Sequence, residues 1–195
     1  NLNGNNINIW NGSDLIASGV KTIIIEWWNA YLKNNISLAS QANDMLGIIV
    51  IEDELGRGWN FYVDPNVTEI SATIYADKSL VSYNGTQEIG SGAATSQLKN
   101  QLYIFGTLFT ENTIWGSVNP YRCPFYINEA NCDFDTAKKY DLNFTRRYFI
   151  KDNWDPYDNW ESHYPNSSAY YEYPMIIEYN ANIQNTAPPL FSISE

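Results

Sequence analysis

Two segments with a common pattern decide the fold: Trp28-Asn-Ala-Tyr-Leu-Lys-Asn-Asn-Ile-Ser37 and Trp59-Asn-Phe-Tyr-Val-Asp-Pro-Asn-Val-Thr68. Both read W-N-x-Y-φ-x-x-N-φ-[ST], where φ is aliphatic, and they lie 31 residues apart. Each follows an aliphatic run that ends in glutamate, Ile23–Glu26 in one case and Ile49–Glu52 in the other. A repeat of roughly 20–50 residues is typical of solenoids, propellers and other arrays.

The first 118 residues consist mainly of short β-branched or aromatic runs bounded by Gly, Asn, Asp or Ser. Runs of this kind at regular spacing indicate an all-β fold. We predict a right-handed parallel β-helix (solenoid), in which Asn29 lies above Asn60 at a corner, because Asn and Gly tolerate the backbone that corners require. A propeller is the alternative, although only Asn11-Gly12 and Asn84-Gly85 provide the tight hairpin turns that its blades need.

The chain divides into two parts on this interpretation. Residues 1–118 form the solenoid coils, with 84–97, a run of small residues, as a loop inserted in one coil. The C-terminal part, 119–195, is predicted to close the end of the coils, because an open end exposes strand edges. Its predicted elements, in chain order, are a disulfide loop, a capping helix over about 136–149, an irregular acidic and aromatic loop over 152–174, and a last strand over 175–179.

Composition excludes several classes of function. The chain has 22 acidic and 11 basic residues, for a net charge of −11, which disfavours binding to nucleic acid or to anionic lipid. The densest basic pair is Arg146–Arg147, and the longest apolar run, Leu46–Ile51, is far too short to span a membrane. One His and two Cys argue against most zinc sites and against a Ser-His-Asp triad. The first residue is Asn rather than Met, which we interpret as a processed chain or a fragment of a longer one.

Several stretches resemble a region near the C-termini of large, uncharacterised secreted or surface proteins of candidate-phylum bacteria. The stretches are Leu46–Ile51, Gly58–Thr68, Ile74–Leu80, Asn100–Ile114, Tyr140–Tyr148, Pro174–Asn180 and Pro188–Phe191. The resemblance covers roughly residues 20–191 and implies a parallel β-helix at the cell surface or outside the cell. It implies no catalytic residue. This chain has Trp59 where the family often has Gly, which places a large side chain at a corner and suggests a contact surface there.

Cysteine spacing predicts a disulfide between Cys123 and Cys132, formed in an oxidising compartment. A redox or metal pair is the alternative, but the spacing is not C-x-x-C and no third ligand is near. A weaker metal hypothesis is a calcium site at Asp152, Asp155 and Asp158, although their spacing does not match an EF-hand loop. We expect no other cofactor.

Aromatic residues suggest an interaction surface, because seven Trp residues are too many for a thin solenoid core. The candidates are Trp27, Trp28, Trp59, Trp154 and Trp160. Adjacent residues in a strand face opposite sides, so one of Trp27 and Trp28 should be exposed. Six N-x-[ST] sequons are candidate glycosylation sites, at Asn11, Asn35, Asn66, Asn84, Asn143 and Asn166. Two of them, Asn35 and Asn66, also occupy equivalent positions of the repeat.

These features predict a non-enzymatic structural or assembly module of a bacterial cell-surface protein or extracellular filament. Its partners would be further copies of itself or other surface-protein subunits. A carbohydrate-binding adhesive module, which uses exposed aromatic rings on glycans, is the alternative. A β-helix polysaccharide lyase or hydrolase is a third hypothesis, for which the candidate carboxylates are Glu26, Glu52, Asp64 and Asp77.

Overall fold

The computed structural model describes residues 6–9, 12–52, 54, 59–90, 93–112, 139–142, 145–146, 175–183 and 187–191. These residues form strands and one short 3-10 helix, Ala93–Gln97. The strands are β1 (Asn6–Asn8), β2 (Leu15–Ala17), β3 (Val20–Glu26), β4 (Asn29–Leu32), β5 (Ile36–Leu38), β6 (Met45–Ile51), β7 (Phe61–Val63), β8 (Glu69–Ile70), β9 (Thr73–Ala76), β10 (Leu80–Ser82), β11 (Leu102–Phe105), β12 (Thr107–Phe109) and β13 (Met175–Glu178). The described part of the protein is therefore mostly β.

The strands form three sheets in which every named pair is parallel. The first sheet has the order β1-β4-β7-β10, the second β13-β11-β8-β5-β2, and the third β12-β9-β6-β3. From β1 to β12 the chain visits the first, second and third sheets in strict rotation, four times. Propeller blades are built from antiparallel hairpins, so this parallel pairing excludes the propeller for the described residues.

The repeat is in register where it begins. Ala30 pairs with Phe61 between β4 and β7, which places Asn29 beside Asn60 as the sequence predicted. The main-chain N–H of Asn60 donates to Asn29 Oδ1 at 3.0 Å, and Ser79 N–H, just before β10, donates to Asn60 Oδ1 at 3.2 Å. Both amide side chains are 7% exposed, so they satisfy buried main-chain donors that water cannot reach.

The repeat loses register before it ends. Ile36 pairs with Ile70 rather than with Val67, its equivalent in the sequence pattern. The intervening chain forms a turn in which Val67 N–H donates to the carbonyl of Asp64 at 3.0 Å. This turn adds three residues, so Ile36 lies beside Ile70 and not beside Val67. The predicted equivalence of Asn35 and Asn66 is therefore wrong, although that of Asn29 and Asn60 is confirmed.

The core consists of aliphatic columns that cross the sheets. In the third sheet one inward column contains Ile23, Ile48, Ile74 and Leu108, paired strand to strand. In the second sheet the corresponding column contains Leu15, Ile36, Ile70 and Ile104. The four isoleucines at positions 36, 48, 70 and 74 are fully buried. Each such side chain stabilises the fold by roughly 1.5–3 kcal/mol relative to exposure.

The C-terminal segment runs back over earlier strands. Asn182 Nδ2 donates to the carbonyl of Gln41 at 2.9 Å, and Thr22 Oγ1 on β3 donates to the carbonyl of Pro189 at 2.7 Å. The ring of Phe191 packs onto Gly47 of β6, where an added Cβ would lie 2.6 Å from the ring. The segment thus covers one row of side chains on the outer face of the third sheet. Because Gly47 has no side chain, the Phe191 ring can pack directly against the strand there.

A second segment covers the end of the first sheet. Asn112 Nδ2 donates both to the carbonyl of Leu80 on β10 and to that of Tyr140, at 2.9 Å each. Arg146, which is fully buried, donates to the carbonyls of Asp64 at 2.9 Å and of Val67 at 3.2 Å. Arg146 is therefore not part of a basic surface. The predicted capping helix over 136–149 lies mostly outside the described residues.

Candidate interaction surface

The tryptophan candidates that the structure describes lie at the turn from the third sheet to the first. Trp27 and Trp28 immediately follow β3, and Trp59 precedes β7. Trp27 is 60% exposed and Trp28 is 36% exposed, whereas Trp59 is half-buried. Trp154 and Trp160 lie outside the described residues.

Trp27 has an unusual backbone conformation, with φ of 74°. For a bulky side chain this left-handed conformation costs about 1–2 kcal/mol, because Cβ crowds the following carbonyl oxygen. The ring gains little burial in return. Residues with strained backbone of this kind cluster at active sites, ligand clamps and switch regions.

An exposed apolar row crosses the outer face of the third sheet, at right angles to the strands. We call it the outer row, and it contains Ile24, Ile49, Tyr75 and Phe109, one residue from each of the four strands and paired in register. Ile24, Tyr75 and Phe109 are 48%, 40% and 50% exposed, and Ile49 is half-buried. The neighbouring residues in the same strands face the core. Contiguous apolar surface of this kind marks interaction sites.

Sequence reasoning missed the outer row. Ile23–Ile25 and Ile48–Ile51 read as uninterrupted aliphatic runs, in which inward and outward positions look alike. The alternation of strand side chains divides each run between the core and the surface. One signal in the sequence could have revealed the outer row. Each strand has only two inward-facing positions, and these runs contain more large apolar residues than two positions can hold.

A groove lies beside β2 and β3, where the chain turns from one strand into the other. It has a volume of about 450 Å³ and is mainly apolar. Its lining includes Leu15, Ala17, Ile23 and Leu46, which belong to the apolar core or pack against it, and Pro189 from the C-terminal segment. It is therefore the point at which the apolar interior meets solvent.

A tyrosine cluster lies on the outer face of the first sheet, formed by Tyr31, Tyr62 and Tyr83. Tyr62 and Tyr83 stack at 4.6 Å between ring centroids, and Tyr31 meets Tyr83 edge-on at 5.0 Å. Tyr31 OH donates to Asp64 Oδ2 and Tyr62 OH to Glu88 Oε1, both at 2.7 Å.

Burial is the largest cause that raises the pKa of both Tyr31 and Tyr62 above the ordinary value, and the carboxylate partners raise it further. Tyr31 is 4% exposed and Tyr62 is 7% exposed. Gly85 and Glu88 of the 84–90 segment lie against these rings. The cluster attaches that segment to the first sheet and offers no open platform to a ligand.

Of the four carboxylates considered for glycan cleavage, Glu52 and Asp77 are neighbours. Glu26 and Glu52 end equivalent aliphatic runs, which suggested that they stack on one face, but Glu26 pairs in register with Ile51, so the two glutamates are offset by one residue and that hypothesis is wrong. Asp64 accepts hydrogen bonds from Tyr31 and Asn66, and Asp77 accepts from Tyr75 OH at 2.9 Å and from Glu52 N–H at 2.8 Å. Each aspartate thus orders a turn between strands.

The described sequons differ in what their amides bind. Asn35 Oδ1 accepts from Thr68 N–H at 2.8 Å, which links the residues that precede β5 and β8. Asn66 is exposed and bonds within its own turn to Asp64, and Asn84 Nδ2 donates to Gln97 Oε1 at 3.3 Å. Asn11, Asn143 and Asn166 lie outside the described residues, as do both cysteines and the proposed calcium ligands Asp152, Asp155 and Asp158.

Within the described ranges, no group of three or more His, Cys, Asp or Glu side chains is placed to hold a metal ion. No helix in that part of the chain has the length and apolar character to cross a membrane.

Comparison of the chain with protein-family models, with curated proteins and with solved structures found no match in any of the three. The interaction surface therefore carries the functional argument.

Proposed function

We propose that this chain is a non-enzymatic structural module, a right-handed parallel β-helix that contributes coils to a cell-surface or extracellular assembly. The observation that carries the proposal is the bare strand edge of the first coil. Within the described residues, β1, β2 and β3 each have a strand neighbour on one side only. Unpaired edges with apolar side chains are templates for pairing with another chain.

Two further features support an assembly role. The outer row presents three exposed apolar side chains and the half-buried Ile49 among the described residues, beside the row that the C-terminal segment covers. Asp64 and Asp77, the carboxylates that an enzyme could use, already bind hydroxyl and main-chain donors. The predicted disulfide and the acidic surface suit an extracellular location.

The test is a concentration series in multi-angle light scattering, followed by negative-stain microscopy. Val20→Lys places a charge on the edge strand β3, where Val20 is 42% exposed. Tyr75→Lys is the matched control, because Tyr75 is 40% exposed on the same face of the central strand β9. We expect the wild-type chain to associate and Val20→Lys to prevent association, since lysine blocks strand edges.

The control also separates the two candidate surfaces. If Tyr75→Lys abolishes association and Val20→Lys does not, assembly uses the outer row rather than the edge. A wild-type chain that stays monomeric at every concentration, and that captures no surface-protein subunit, contradicts the assembly function.

A carbohydrate-binding function is the second candidate. Tyr75 and Phe109 are neighbours in register on an exposed face, with the carboxylate of Asp77 beside the Tyr75 hydroxyl. Exposed rings next to hydrogen-bonding groups can stack on sugars. A glycan array tests this function directly, and binding that is lost in Tyr75→Ala would favour it over assembly.

A further inference from the structure

The outer face of the third sheet carries three parallel rows of side chains that differ in chemistry. One row contains Thr22 and Gly47 and is covered by the C-terminal segment, and the next is the outer row. A third row lies two residues farther along the strands, on the same face because alternate side chains of a strand point the same way. It begins with the exposed Glu26 and continues past Ile51 to Asp77. Exposed apolar surface is thus bordered by carboxylates.

Further carboxylates lie at the same end of these strands. Glu52 and Glu111 are exposed, and the N–H of Glu52 donates to Asp77 Oδ2 at 2.8 Å. The ammonium of Lys78 lies 3.0 Å from Glu111 Oε2. This hydrogen bond is the largest cause that raises the pKa of Lys78, and attraction to Glu52 and Asp77 raises it further. The carboxylates at this end therefore act together to stabilise a positive charge.

Lys78 compensates only part of the negative charge. It pairs with Glu111, whereas Glu26, Glu52 and Asp77 have no ammonium or guanidinium partner among the described residues. A partner that buries this face has to supply positive charge, because carboxylates that lose water without gaining a cation are costly.

The distance between the outer row and the carboxylates matches a long cationic side chain. Two residues along a strand correspond to about 6.7 Å. The Tyr75 side chain spans this distance, since it starts in the outer row and its hydroxyl donates to Asp77 Oδ1 at 2.9 Å. Lysine and arginine lay an aliphatic stem on apolar surface and keep the charged head in polar surroundings. With its stem on Ile24, such a side chain brings its head to Glu26.

Charge disfavours a second copy of this chain as the occupant of this face. The chain has a net charge of −11, so two copies repel each other, and each would bring the same carboxylates to the interface. The rings of Tyr75 and Phe109, which are 40% and 50% exposed, favour cations instead. The complementary partner is a different subunit that combines positive charge with apolar side chains.

We propose that the outer row and the carboxylates beside it bind an extended basic segment of another subunit, in which lysine or arginine alternates with aliphatic residues. Alternate side chains of an extended segment point to opposite sides. The basic side chains lie toward Glu26 and Asp77, and the aliphatic ones lie toward the C-terminal segment, where Leu190 is 69% exposed. This inference rests on the proposed assembly function and states the chemistry of the partner.

The test uses the full chain and a fluorescent synthetic peptide of alternating Lys and Val, with binding followed by fluorescence anisotropy. We expect the double variant Glu26→Gln/Glu52→Gln to weaken binding about tenfold, and Ile24→Ser to weaken it about fivefold. Glu178→Gln is the matched control, because it removes the same charge from an exposed position on β13 in the second sheet. It should leave binding nearly unchanged.

Two further peptides test the wild-type chain, so the result does not depend on the folding of a variant. A peptide of alternating Lys and Ser keeps the charge without the apolar side chains and should bind about tenfold more weakly. A peptide of alternating Glu and Val should not bind. Equal binding of the Lys-Val and Lys-Ser peptides, or an equal loss in Glu178→Gln, would show that the peptide responds only to net charge and would overturn the proposal. An amino-sugar polymer that binds where the Lys-Val peptide does not would also overturn it, in favour of a carbohydrate.

Light scattering of the chain alone separates this inference from the assembly function. A chain that associates with itself through the β3 edge but does not bind the Lys-Val peptide overturns this inference and leaves the assembly function intact. Self-association that Tyr75→Lys abolishes would place a second copy on the outer row and overturn the inference as well. A monomeric chain that binds the peptide supports it, and assembly then depends on the other subunit.

Discussion

At the scale of single residues, Trp27 shows how strain and exposure combine at the turn after β3. Its φ of 74° is a conformation that glycine adopts freely and tryptophan does not. A residue under selection for stability alone would be glycine. The ring is 60% exposed and therefore contributes little to the core.

We expect Trp27→Gly to be more stable than Trp27→Ala by about 1 kcal/mol, because only glycine removes the Cβ that crowds the backbone. Chemical denaturation of both variants measures the difference. Equal stabilities would show that the left-handed backbone at this position carries no cost. The difference in stability between each variant and the wild-type chain measures what is lost when the packing of the Trp27 ring is removed.

The corner asparagines also act at this scale. Asn29→Ala removes the acceptor of the buried Asn60 N–H and should lower the free energy of unfolding by about 1–3 kcal/mol. Asn66→Ala, at an exposed repeat asparagine whose hydrogen bonds to described residues stay within its own turn, should change it by less than about 0.5 kcal/mol. Urea unfolding measures both. If Asn66→Ala costs as much stability as Asn29→Ala, the structural role assigned to the hydrogen bond between Asn29 and Asn60 is wrong.

At the scale of elements, the C-terminal segment and the third sheet depend on each other. Phe191 and Pro188 occupy the space above Gly47, and Thr22 of β3 bonds to Pro189. The same face of the sheet thus has one row covered by the C-terminal segment and another, the outer row, that is largely exposed among the described residues. The two rows differ in side-chain size. The covered row has small residues, such as Thr22 and Gly47, whereas the outer row has large apolar ones.

Gly47→Ala should displace this segment, because the new Cβ would lie 2.6 Å from the Phe191 ring. We expect the free energy of unfolding to fall by about 1–3 kcal/mol and the amides of β3 to exchange faster. In a Phe191→Ala background the same substitution should cost much less, since the clashing ring is absent. Additive effects of the two substitutions would contradict the packing of Phe191 on Gly47.

At the scale of the whole molecule, tyrosine hydroxyls connect segments that are distant in the sequence. Tyr103 on β11 donates to Glu178 on β13 at 2.6 Å, and this hydrogen bond is the largest cause that raises the pKa of Tyr103 to about 12. Tyr31 and Tyr62 attach the first sheet to Asp64 and Glu88 in the same manner, with pKa values also raised. These bonds all require the protonated hydroxyl.

Stability should therefore fall at alkaline pH. Because folding raises the pKa of these tyrosines above the ordinary value of about 10, their contribution is complete below about pH 10 and is lost as pH rises toward 12 and beyond. Tyrosinate absorbance recorded together with circular dichroism tests this expectation. Ionisation of all tyrosines near pH 10 with no loss of β structure would contradict it.

Much of the fold could be predicted from the sequence because its signals are local. The alternation of short β-branched runs with Asn and Gly indicates strands and corners wherever they occur. The shared pattern at Trp28 and Trp59 predicted that Asn29 and Asn60 lie side by side, and the pairing of Ala30 with Phe61 confirms it. Parallel pairing followed from the solenoid interpretation.

The interaction surface could not be predicted in the same way, because it depends on pairing across the sheets. Which isoleucine of Ile23–Ile25 faces outward is set by the register of β3 with β6, and a shift of one residue would exchange the two faces. The turn at Asp64–Val67 likewise breaks an equivalence that the repeat suggested for Asn35 and Asn66.

Local patterns in the sequence are enough to predict parallel strands, with Asn29 and Asn60 side by side. Strand propensity, turn chemistry and the spacing of repeats are properties of neighbouring residues, which a sequence records directly. The surfaces that stay exposed among the described residues, namely the outer row, the edge of β3 and the groove beside it, follow only from the three-dimensional packing. Exposure is decided by segments far away along the chain, such as Phe191 over Gly47 and Arg146 beneath Val67, and no local pattern encodes it.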